Sequence, residues 1–145
     1  DESEVKREET EAASDQGAAL TGKRILLAED NDLNAEIACE LLEEKGILVE
    51  RAEDGQVCCD RLIKAADGYY DLILMDIQMP RMNGYEATRR IRKLKDPKKS
   101  QIPIIAMTAN AFAEDRQAAK DAGMNDHVAK PIHIDILLSV LKKYV

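Results

Sequence analysis

The stretch LILMDIQMPRMNG, residues 72–84, runs apolar for four residues, reaches an acid at Asp76, and then breaks into Met-Pro and Asn-Gly. Strand interiors exclude unpaired carboxylates, and Pro80 cannot donate to a central ladder. Asp76 therefore belongs at the end of a buried strand, facing something polar. What it faces decides how the chain is read.

On either side of this stretch, short β-type runs alternate with amphipathic segments. RILLA, residues 24–28, predicts a first strand. Leu33, Ile37, Ala38, Leu41 and Leu42 recur at helical spacing, with Gly46 as a C-terminal stop. ILVERA, residues 47–52, predicts a second, partly exposed strand, followed by a helix over about 54–66 that buries Val57, Leu62 and Ile63. Residues 72–75 give the third strand, 85–94 the third helix, and DPKKSQ, 96–101, a basic loop. Then come a strand over 103–107, a helix over 112–122 stopped by Gly123, a short strand over 126–129, and a last helix carrying Ile134, Leu137, Leu138 and Leu141. Five strand-helix units with strands this apolar predict an α/β fold: a parallel sheet with helices on both faces. Sites in such sheets lie outside the carboxyl ends of the strands.

Composition sets the outer bounds. A chain of 145 residues, 45% of them apolar, supports one core and hence a single domain. The apolar runs are far shorter than a membrane span, and no secretory segment opens the chain. The three cysteines, Cys39, Cys58 and Cys59, form no CxxC and are odd in number, which suits a reducing, cytoplasmic setting. The first residue, Asp1, suggests a piece of something longer. Net charge is -7, and residues 1–22 carry seven acidic and two basic side chains, or -5 of it. With few large apolar residues, 1–22 read as an acidic flexible linker or tail, leaving 23–145 as the folded domain. An acidic chain with one Phe, four Tyr and no Trp is poorly suited to nucleic acid. A protein partner or a small phosphorylated one fits better.

The polar residues ending the strands carry the chemistry. Strand one ends in Glu29 and Asp30, strand three in Asp76 and strand four in Thr108, while Lys130 follows strand five. Each has an ordinary explanation alone: Asp30 or Thr108 as a helix cap, Lys130 as a surface charge. Parallel strands would bring all of them to one sheet edge, where three carboxylates raise one another's pKa. A hard divalent cation such as Mg²⁺ and an ammonium group would relieve that conflict.

LLAEDN, LILMDIQMPRMNGYE, IIAMTAN and HVAKPI, in this order and spacing, resemble the receiver domain of two-component response regulators over residues 23–145. The resemblance implies a flavodoxin-like, doubly wound sheet of order 2-1-3-4-5 with five helices. It casts Asp76 as the nucleophile that accepts a phosphoryl group from a partner's phosphohistidine. Asp30, Asp76 and the backbone carbonyl of Gln78 would hold Mg²⁺, with Glu29 beside them directly or through water. Lys130 would contact the phosphoryl oxygens, and Thr108 would be the switch hydroxyl. His127 stands where the family often has Tyr or Phe, implying a reduced or pH-sensitive version of the aromatic switch. A cis Lys130-Pro131 bond is also implied. The segments LNAEIACELLEEKG and MTANAFAEDRQ look like receivers of hybrid sensor histidine kinases, tethered to a membrane-bound kinase but making no membrane contact themselves. Implied partners are a histidine kinase, a histidine phosphotransfer protein and, transiently, a second copy. The alternatives are a stand-alone single-domain regulator and a docking module that takes no phosphate. A haloacid dehalogenase-type phosphatase would need an acid where Gln78 stands, and a nucleotide binder would need a Gly-rich phosphate loop that is lacking.

Overall fold

Strands that must be covered on both faces are apolar at every position, and two here are buried throughout. The computed structural model describes residues 20–109 and 113–145. Its strands are β1 (Arg24–Ala28), β2 (Leu48–Ala52), β3 (Leu72–Asp76), β4 (Ile104–Thr108) and β5 (Asp126–Ala129). They form one sheet of order β2-β1-β3-β4-β5 in which every pairing is parallel. β3 and β4 bury all five residues each. Alternation divides the side chains between two cores. Leu26, Ile73, Met75, Ile104 and Ala106 point to one face, and Ile25, Leu27, Leu72, Leu74 and Ile105 to the other.

The helices among the described residues are α1 (Asp32–Glu43), α2 (Gly55–Lys64), α3 (Gly84–Arg92), α4 (Pro97–Ser100), α5 (Ala113–Ala122) and α6 (Ile134–Lys142). α2, α3 and α5 cover the first face through residues such as Cys58, Leu62, Ile91 and Ala119. α1 and α6 cover the second through Ala38, Leu42, Leu137 and Leu141. None of the described helices is long and apolar enough to cross a membrane.

Four details correct the sequence reading. Residues 96–101 are not simply a loop: Asp96 accepts from Lys98 N at 3.0 Å and Pro97 opens α4, a short helix among the described residues that was not expected. On α1 the large side chains Leu33 and Ile37 are 64% and 47% exposed, while Ala35, Ala38 and Leu42 face the sheet. On α2 the buried stripe is Cys58, Cys59 and Leu62, and Ile63 is turned outward. In both helices, residues adjacent on the apolar arc compete for the sheet, and the smaller allow closer packing.

The fourth concerns the boundary at residue 23. Leu20, assigned to the tail because residues 1–22 hold few large apolar side chains, is only 1% exposed and packs with Ile25, Leu42 and Ile47. Gly22 N–H donates to the Gly46 carbonyl at 2.8 Å, tying this segment to the turn after α1. Leu20→Ala is therefore expected to cost about 2–4 kcal/mol, read as a lower urea midpoint at unchanged m-value. A midpoint equal to wild type would mean that Leu20 packs only loosely. The remainder of the tail, 1–19, lies outside the described residues.

Candidate functional site

Because the strands are parallel, their carboxyl ends share one edge, and the loops leaving that edge shape a cavity of about 250 Å³. Glu29, Asp30, Asp76, Gln78, Thr108 and Lys130 all line it. Each is placed by a local device. β1 is prolonged by Glu29 N–H donating to the Ala52 carbonyl at 3.1 Å, which leaves Glu29 2% exposed. Asn31, rather than Asp30, caps α1 by accepting from Asn34 N at 2.9 Å. Asp30 is consequently released to the exposed rim. Asp76 ends β3 opposite Met107 of β4 and is 6% exposed. Beyond it, Gly84 N–H donates to the Ile77 carbonyl at 2.8 Å. A Cβ at Gly84 would press into the Asp76 carbonyl oxygen, so only glycine allows α3 to start this close to the strand end.

The electrostatics centre on one cation. Lys130 Nζ donates to Glu29 Oε2 at 2.6 Å and lies 3.1 Å from Asp76 Oδ2. Its own N–H donates to the Thr108 carbonyl at 2.8 Å, fastening the lysine to the end of β4. Burial and the neighbouring Glu29 carboxylate push the Asp76 acid up to about 6, with Lys130 pulling in the opposite direction. Burial works against the Lys130 ammonium, but its bonds to Glu29 and Asp76 outweigh this and raise its pKa. Glu29, Asp30 and Asp76 each offer an oxygen within 4.8 Å of the others. Such a hard-oxygen set fits Mg²⁺, which takes few protein carboxylates and keeps several waters.

Thr108, 8% exposed, ends β4 beside this cluster. The Lys130-Pro131 bond is cis. His127 is not part of the cavity lining: it sits on β5 opposite Ala106, with its side chain 30% exposed and Nδ1 3.7 Å from Asp126 Oδ1.

Sequence reasoning missed Arg51. Its Nε and Nη2 donate to the carbonyls of Glu29 and Asp30 at 3.0 and 3.1 Å, and Nη1 pairs with Asp32 at 2.7 Å. One guanidinium thus holds the backbone of the acidic pair from the adjacent strand. An arginine one residue before the carboxyl end of the strand segment ILVERA was the available signal. Tyr85 and Asp115 also line the cavity, and nothing in their spacing gave them away.

The response regulator receiver domain family matches residues 25–142. The chain belongs to that family. Hybrid signal transduction histidine kinase B of Dictyostelium discoideum is 41% identical over 133 residues, covering 85% of this chain and 7% of that protein. The receiver thus spans only a small fraction of this curated relative's length. Among solved structures, the receiver domain of sensor histidine kinase PA1611 from Pseudomonas aeruginosa, with magnesium coordinated in its active-site cleft, is 38% identical with a TM-score of 0.76. That match covers 86% of this chain and 98% of the other. The Saccharomyces cerevisiae co-crystal of the histidine phosphotransfer protein Ypd1 with the receiver domain of Ssk1 matches at 27% identity and a TM-score of 0.77. It covers 86% of this receiver and 90% of the matched chain. Their shared fold is flavodoxin-like, as the strand order already required.

Proposed function

We propose that this receiver accepts a phosphoryl group from a phosphohistidine onto Asp76, within the phosphorelay of a hybrid sensor histidine kinase. The observation that carries this reading is the convergence of Lys130 on Asp76 and Glu29 at the carboxyl edge of the sheet. An Asp76 carboxylate oxygen attacks phosphorus while the bond from phosphorus to the imidazole nitrogen breaks. The bonding electron pair returns to the ring, which takes up a proton. Lys130 neutralises charge on the transferred phosphoryl oxygens, and Thr108 supplies a hydroxyl that bonds them afterwards. Glu29 holds Lys130 in place. Asp30, Asp76 and the Gln78 carbonyl would hold Mg²⁺, which when bound offsets negative charge around the phosphoryl group. His127, outside the cavity, would respond to the loop after β4 as an exposed part of the switch. The partners of this reading are a histidine kinase and a histidine phosphotransfer protein, and its setting is the cytoplasmic side of a membrane-tethered kinase.

Intact-mass spectrometry after incubation with acetyl phosphate tests the assignment. The expected result is a gain of one phosphoryl group that needs Mg²⁺ and disappears in Asp76→Asn. Retained, hydroxylamine-labile phosphate in the Asn variant would assign the acceptor elsewhere.

A further inference from the structure

We propose that the ion pair between Asp54 and Arg81 is a latch that positions the loop after Asp76, and through it the Gln78 carbonyl, for Mg²⁺ binding. The inference rests on the metal-site reading above and concerns residues that do not touch the site.

Asp54 is 0% exposed. Its Oδ1 caps α2 by accepting from Val57 N at 2.9 Å. Capping uses one oxygen and is ordinarily done at the surface. The second oxygen, Oδ2, is fully buried and, among the described residues, has no hydrogen-bond partner and a single ion-pair partner, Nη2 of Arg81. Arg81 belongs to the loop after Asp76, and its side chain is 70% exposed. A surface ion pair is worth little, but removing the partner of a buried charge leaves that charge uncompensated.

The backbone at Arg81 points the same way. Its φ is +65°, a left-handed conformation that a non-glycine residue holds only when its surroundings enforce it. A second tie adjoins the ion pair: Gly55 N–H donates to the Met82 carbonyl at 3.2 Å, and a Cβ on Gly55 would press into that oxygen. The β2–α2 turn and the loop over 77–83 are therefore joined at two neighbouring points. At its other end the loop is closed by Gly84 N–H on the Ile77 carbonyl. Gln78 and Met79 span the interval and face Asp30 across an open cleft. If Arg81 is lost, the buried Asp54 oxygen keeps no cation beside it, and the loop over 77–83, then joined to the β2–α2 turn through the Gly55–Met82 bond alone, is free to shift and carry Gln78 with it. Arg81 is a positioning residue, since it lines neither the acidic cavity nor that cleft.

The test combines Mg²⁺ calorimetry with amide hydrogen exchange of the metal-free protein, in wild type, Arg81→Gly and Arg81→Lys. Glycine takes φ +65° without strain, so the variant loses the ion pair but keeps the backbone geometry. Arg81→Gly is expected to weaken Mg²⁺ binding roughly ten-fold, the scale on which outer supports act on metal sites. It should also speed exchange at residues 78–83 while β3 and β4 keep their protection. Arg81→Lys, which retains a cation, should stay within about three-fold of wild type in affinity. Unchanged exchange in the Gly variant would overturn the latch, and so would a Lys variant as weak as Gly. Wild type that binds no Mg²⁺ at all would instead remove the metal-site reading, and the exchange data would still decide whether the latch exists.

Discussion

Replacing Lys130 by Ala should destabilise the metal-free receiver by roughly 3–5 kcal/mol near pH 7, the cost of stripping the partner from buried charge. Glu29, 2% exposed, has the ammonium at 2.6 Å and the Asn31 N–H at 3.2 Å. Asp76, 6% exposed, has it at 3.1 Å. Without the lysine, two close carboxylates share a site of low polarity with no cation between them. The loss should shrink in acid, where protons neutralise the carboxylates, and Mg²⁺ should restore part of the stability by supplying positive charge. Because the fold raises the Lys130 pKa, the lysine's own titration takes nothing from this contribution until pH passes its unfolded value of about 10.4, and the contribution fades as pH climbs through the higher folded value. Urea midpoints at pH 5, 7 and 9 in the presence of chelator are the measurement. A loss under about 1 kcal/mol at pH 7 would show that the pair is solvated like a surface bridge. Phosphoryl incorporation from acetyl phosphate should fall by about 10²–10³, as when a preorganised charge-stabilising group is removed elsewhere.

The opposite sign is expected for Asp76→Asn. In the folded protein the Asp76 acid is pushed up to about 6, by burial first and by Glu29 second. Its unfolded value is about 3.9. A carboxyl whose folded pKa is raised favours the fold fully below the unfolded value and loses that contribution as pH rises through the folded one. The ionised acid is thus a burden at neutral pH, kept for its chemistry. Asn has nearly the same shape and carries no charge. The variant should therefore match wild type near pH 4, gain between pH 4 and 6, and level off above pH 7 at about 2 kcal/mol more stable, without metal, since solvent screening trims the roughly 3 kcal/mol that two pKa units would give. Mg²⁺ should reverse the order, since it stabilises the ionised acid and has less to bind in the amide. Chemical denaturation across this pH range, with chelator and with Mg²⁺, checks both halves. An Asn variant less stable than wild type at pH 7 in chelator would mean that the bond to Lys130 outweighs burial and Glu29 together.

Much of this was legible because the signals are local and repeated. β1 and β5 occupy the residues expected, β3 runs one residue longer at its carboxyl end, and β4 is shifted by one residue at both ends. The acids, hydroxyl and lysine at the strand ends do meet in one cavity. The helix faces were harder. Leu33 and Ile37 fit a helical stripe as well as Ala35 and Ala38 do, and periodicity alone does not say which part of a broad apolar arc meets the sheet. Leu20 was hidden by its neighbours, since one leucine in an acidic segment with few large apolar residues has no period to announce it.

By itself, the sequence determined the parallel sheet and the edge that bears the chemistry, because strands covered on both faces must be apolar throughout and can afford a carboxylate only where they end. Only the tertiary structure decided which charges touch. It is Glu29, not the adjacent Asp30, that takes the lysine's shortest bond, across 101 residues of chain. Arg51 braces the backbone of that acidic pair, and Asp54 lies buried under Arg81. Periodicity reports which way a side chain points within its own element. Ion pairing depends on distances of a few ångströms between elements remote in sequence, and these exist only once the sheet has assembled.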